Sequence, residues 1–70
     1  MLSAHQPQKF TKRELQVIQL LLNGEPTKLM ASQLHISTRA VEMHLTNLYE
    51  KLGVCSRTEA VVKLINLFKK

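Results

Sequence analysis

Four aliphatic residues constrain this chain more than any others. Val41, Leu45, Leu48 and Leu52 follow one another at spacings of four, three and four. At the helical angle of about 100° per residue they span only about 60° of the wheel, one narrow apolar stripe. Ser37 just before this stretch is a good N-cap, and Gly53 ends it, so the spacing predicts a helix over about 38–52. Arg39, Met43, Thr46 and Glu50 lie opposite the stripe, with Glu42 and Asn47 on its flanks. A helix that buries one narrow edge leaves most of its surface free to touch something else.

The rest of the chain supplies three more helices. Thr11 and Glu14 have the spacing of a capping box, and Leu15, Ile18, Leu21 and Leu22, with Val17 beside them, form the apolar face of a first helix. Gly24 suits a left-handed C-terminal position, and Pro26 cannot continue that helix but can begin the next. A short second helix covers about 27–34, with Met30 and Leu34 facing inward and Ala31 beside them; Ile36 plugs the turn that follows. Ser56 and Glu59 form a second capping box, opening a last helix whose apolar residues Ala60, Val61, Val62, Leu64, Ile65, Leu67 and Phe68 cover about 220° of the wheel. That is far more than one packing face needs. The surplus, centred on Val62 and Ile65, calls for a second partner, which a symmetric dimer through this helix supplies.

Seventy residues make one domain, and a chain this short buries only about 60% of its unfolded surface. With no Trp, one Tyr, two Gly and two Pro, the expectation is an all-α fold with an aliphatic core: a compact four-helix bundle. Residues 1–9 read as a flexible N-terminal arm, residues 10–70 as the folded domain, with Phe10 tucked against the first helix.

Ten Lys and Arg stand against five Glu and no Asp, a net charge of +5, which points to a polyanionic partner. Several function classes are excluded. No Gly-rich phosphate loop or nucleophile–base pair appears, so the chain is not expected to be an enzyme. His5, His35 and Cys55 have no metal-ligand spacing, and no metal or other cofactor is expected. Cys55 is the only cysteine; it suits a reducing cytoplasm and reads as a passive loop thiol. No apolar run approaches the ~20 residues of a membrane span, and no signal-peptide apolar region opens the chain.

Two helices joined by a short turn, the second with a narrow buried edge, form a helix-turn-helix pattern over Thr27 to about Asn47. The surrounding sequence is more specific. It contains "TKRELQV", Gly24, "MASQLHISTRAVEMH" and "KLGVCSRTEA" in that order. Across residues 10–64 this closely resembles the LuxR/GerE-type DNA-binding domain, whose pattern is T-x-R-E-x-x-V, Gly, I-A-x-x-L-x-I-S-x-x-T-V-x-x-H and K-L-G-V-x-S-R-x-E-A. The resemblance implies a four-helix bundle in which the second and third helices read DNA, with the third in the major groove. It also implies a sequence-specific transcriptional regulator that binds an inverted-repeat promoter site as a dimer through the last helix, with RNA polymerase as a further partner. Some members stand alone at this length and others are output domains of longer regulators. The alternative is a protein-interaction module that retains the fold without specific DNA readout. A sigma-factor region-four module is disfavoured by the "KLGVCSR" continuation and the apolar last helix.

The resemblance also assigns roles. Glu42, Met43 and Thr46 face base edges: Glu42 can accept from cytosine N4, Met43 can meet a thymine methyl, and Thr46 can hydrogen-bond. Lys28, Thr38, Arg39, His44, Asn47, Lys51 and Arg57 are the phosphate candidates, Lys51 and Arg57 because they match the basic positions of "KLG" and "SR". His44 has a packing role as well. Glu42 has a competing reading as an intrahelical partner of Arg39, and Arg57 as an internal partner of Glu14 or Glu59. The chain departs from the family at Ala40, where Thr is frequent, and at Glu42, where Lys or Arg is frequent.

Overall fold

The computed structural model describes residues 10–68, and the expected arm, 1–9, lies outside them. The described residues form four helices and no strand: α1 Lys12–Leu22, α2 Thr27–Leu34, α3 Thr38–Leu52 and α4 Arg57–Phe68. α3 is the hub. It packs against α1, α2 and α4, and α1 also packs on α4.

Local chemistry sets the helix ends. The Thr11 hydroxyl accepts from the Glu14 N–H at 3.0 Å while Glu14 Oε1 accepts from the Thr11 N–H at 2.9 Å, a complete capping box. Ser37 Oγ accepts from the Ala40 N–H at 3.0 Å and starts α3. At α4 the box is shifted. Ser56 Oγ accepts from the Glu59 N–H at 3.2 Å, but Glu59 Oε1 reaches past Ser56 to the Cys55 N–H at 2.9 Å. The extra donor it satisfies ties the 53–56 turn to the helix. Gly53 ends α3 at φ 72°, a conformation that costs a residue with a Cβ about 1–2 kcal/mol. His35 takes the same left-handed conformation at φ 60° without being glycine, and this ends α2 and turns the chain toward α3.

The core consists of Val17, Ile18 and Leu21 from α1, Met30 and Ala31 from α2, the stripe Val41, Leu45, Leu48 and Leu52 from α3, and Ala60 and Leu64 from α4. The whole expected stripe of α3 is therefore buried. The buried face of α1 differs from expectation. It runs through Glu14, Val17, Ile18 and Leu21, while Leu15 (46% exposed) and Leu22 point outward. Leu15 and Leu22 are seven apart and share one flank, and α3 and α4 do not reach that far round α1. Val17, expected beside the face, lies within it. Leu34 and Ile36 are half-buried rather than fully enclosed, and Phe10 packs at the edge of the core, against Phe68 of α4 and beneath the Lys51 ammonium of α3. On α4, Ala60 and Leu64 alone are fully buried, and Val62 (54% exposed), Ile65 (52%), Leu67 and Phe68 face outward.

Candidate nucleic-acid interface

Because α3 is held by one edge, its opposite side forms a continuous surface. Arg39, Glu42, Met43, Thr46 and Asn47 line one shallow, open depression along it. The five follow one another at intervals of one or three residues, which keeps them on one side of a helix. All are exposed, Met43 at 60%. Met43 is therefore a large apolar side chain that stands outside the core. Among the described residues no ion pair joins Glu42 to Arg39, so the carboxylate and the guanidinium are both presented outward. Thr38 opens α3 and Lys28 stands in the first turn of α2, both exposed, while His44 is half-buried beside the stripe. Ala40, the position where the family often has Thr, is half-buried too.

The structure does not bring Lys51 and Arg57 to this surface as unengaged cations. Lys51 Nζ donates to Glu14 Oε1 at 2.8 Å and lies 5.6 Å from the centre of the Phe10 ring. Arg57 Nη2 donates to the backbone carbonyl of Glu25, in the turn between α1 and α2, so neither Glu14 nor Glu59 is its partner. The Glu14–Lys51 pair went unseen in the sequence because its members are 37 positions apart and no local spacing links them.

The hydrogen bond from Lys51 does most to hold the Glu14 carboxyl below the usual carboxylate range; burial opposes it, and the Thr11 hydrogen bonds add to it. Since the folded value lies below the unfolded value of about 4.3, the unfolded chain takes up the proton first as pH falls. This contribution is complete above the unfolded value and disappears as pH drops through the lowered folded one. Thermal melts from pH 7 to pH 3 are therefore expected to show a shallower acid slope for Glu14→Gln, which keeps an acceptor for the Thr11 N–H, than for the parent chain. Equal slopes would show that the pair contributes nothing to stability.

Cys55 is a free, exposed thiol. Among the described residues no group of three His, Cys, Asp or Glu side chains lies close enough to hold a metal, and no helix is long and apolar enough to cross a membrane.

The family model described as bacterial regulatory proteins, luxR family, matches residues 8–64. The chain belongs to the luxR family of bacterial regulatory proteins. This luxR-family domain is 46% identical over 57 residues to the spore germination protein GerE of Bacillus subtilis (strain 168), covering 81% of the chain and 77% of GerE. It is 38% identical over 55 residues to the transcriptional regulatory protein DegU of Brevibacillus brevis, covering 79% of the chain but only 23% of DegU. Among solved structures it is similar to a chain in the crystal structure of the anti-activator RapF complexed with the response regulator ComA DNA binding domain. That likeness has a TM-score of 0.76 and 40% identity, and covers 79% of this chain and 95% of the other. The luxR-family domain thus spans most of one relative and about a quarter of another.

Proposed function

We propose that this luxR-family domain is a non-enzymatic, sequence-specific DNA-binding transcriptional regulator that works in the cytoplasm, with α3 in the major groove of an inverted-repeat promoter site. The observation that carries this reading is the outward face of α3. It is a single helix side with hydrogen-bonding, apolar and charged groups together, none of them needed by the core. In the groove, Glu42 accepts from cytosine N4, Met43 covers a thymine methyl and Thr46 bonds a base edge. Lys28 and Arg39 engage phosphates at the rim, with Thr38, Asn47 and His44 as uncharged or partly buried contacts. Two copies pair through Val62 and Ile65, whose exposure leaves an apolar face on α4. RNA polymerase is the partner that such a regulator acts on.

The test is a binding selection from a random duplex library with the 70-residue chain, run in parallel with Glu42→Gln. The parent chain is expected to return an inverted repeat; a lone half-site would refute pairing through α4. The variant is expected to lose about 1–3 kcal/mol of discrimination at one base pair and leave the others as they were. Uniform tightening on every sequence would make Glu42 a repulsive charge that reads nothing.

A second reading, a protein-interaction module that keeps the fold, draws on the ComA DNA binding domain being complexed with the protein RapF. Failure of the selection to enrich any sequence would favour it.

A further inference from the structure

We infer that Lys51 is a positioning residue for base readout: by gripping Glu14 it sets the roll of α3 about its own axis, rather than contacting a phosphate. The inference rests on the DNA-binding reading above. It starts from what the core leaves undetermined. α3 is seated on four buried aliphatic side chains covering about 60° of its circumference, with Tyr49 packed against the core on the flank away from Lys51. Apolar contact is non-directional, so such a seat resists separation better than rolling. On a helix about 10–12 Å across, a roll of 15° moves a side-chain tip by about 1.5 Å. That shift is enough to carry Glu42 or Thr46 out of hydrogen-bonding range of a base edge.

Lys51 lies about 60° beyond the edge of the stripe, at the flank where a directional contact opposes roll. The contact is short, at 2.8 Å, and its acceptor is itself immobile. Glu14 is locked into the capping box of α1, with a side chain only 11% exposed. The same ammonium faces the Phe10 ring, and Phe10 meets Phe68 at 6.4 Å between centroids. One charge at the end of α3 is thereby tied to the start of α1 and, through Phe10, to the end of α4. Swinging Lys51 out to a phosphate would leave the Glu14 carboxylate without its counter-charge in a largely desolvated place.

The two roles give opposite signs in Glu14→Gln. Glutamine keeps the oxygen that accepts from the Thr11 N–H, but it replaces the ion pair with Lys51 by at most a hydrogen bond to a neutral acceptor, and it raises the net charge by one. If Lys51 positions α3, affinity for the library-selected duplex falls about tenfold despite the added positive charge, while affinity for random DNA does not fall. Lys51→Met gives the same loss, with an unchanged slope of log affinity against log salt, and Lys51→Arg restores most of it. Circular dichroism melts establish that each variant is folded at the assay temperature. Tighter or unchanged specific binding in Glu14→Gln overturns the inference, as does a Lys51→Met slope shallower by about 0.9 per protomer, the mark of a lost phosphate contact. A parent chain that does not discriminate its selected duplex from random DNA refutes the DNA-binding reading instead.

Discussion

Replacing Leu48 by alanine is expected to remove about half of the folding stability of this domain. Leu48 is completely buried at the centre of the α3 stripe, and α3 is the one helix that packs on all three others. A Leu-to-Ala change at such a site costs about 2–5 kcal/mol, the upper part of the range applying where the surroundings cannot collapse into the cavity. Collapse is restricted here because Val17, Leu21, Met30 and Leu64, from three different helices, are also fully enclosed. Against this stands a total stability of about 4–10 kcal/mol for a 70-residue domain. Urea denaturation followed by circular dichroism reads the effect directly. A loss below about 1 kcal/mol would mean that α3 is not the hub of the fold. The same change at exposed Leu15 or Leu22 is expected to move the midpoint little.

Specific DNA affinity is expected to fall about 10²-fold between 50 and 200 mM salt. Per protomer, Lys28 and Arg39 are the exposed phosphate candidates with no internal ion-pair partner among the described residues, so a dimer neutralises about four phosphates. Counterion release then gives a slope of log affinity against log salt of about −3.6. If Lys51 and Arg57 left Glu14 and the Glu25 carbonyl for phosphates, about eight would be neutralised, and the same salt step would cost about 10⁴-fold. Fluorescence anisotropy at four or five salt concentrations separates these values. A loss below about threefold would speak against phosphate-anchored binding altogether.

Most of the fold was legible in local sequence, because its determinants are local. The ends of α2 and α3 fall where Pro26, Ser37 and Gly53 predict them, since caps and breakers act within one turn of the chain. Period was also sufficient for α3, where only one arc of apolar residues is available to bury. It was less informative for α1, whose apolar residues spread wider than the core reaches. There the burial of Glu14 and the exposure of Leu15 depended on how far α3 and α4 extend around the helix.

The candidate site divides along the same line. By itself the sequence determined the family, the four helices and a third helix with one face to bury and one to present, because periodicity and capping are written in neighbouring residues. The tertiary structure alone decided which basic residues engage a partner within the fold. Lys51 and Arg57 look like Lys28 and Arg39 in a list of charges, but the partners that engage them lie 37 and 32 positions away. Proximity over such separations exists only once the hydrophobic stripe has drawn the helices together, and it is what turns a surface cation into a strut.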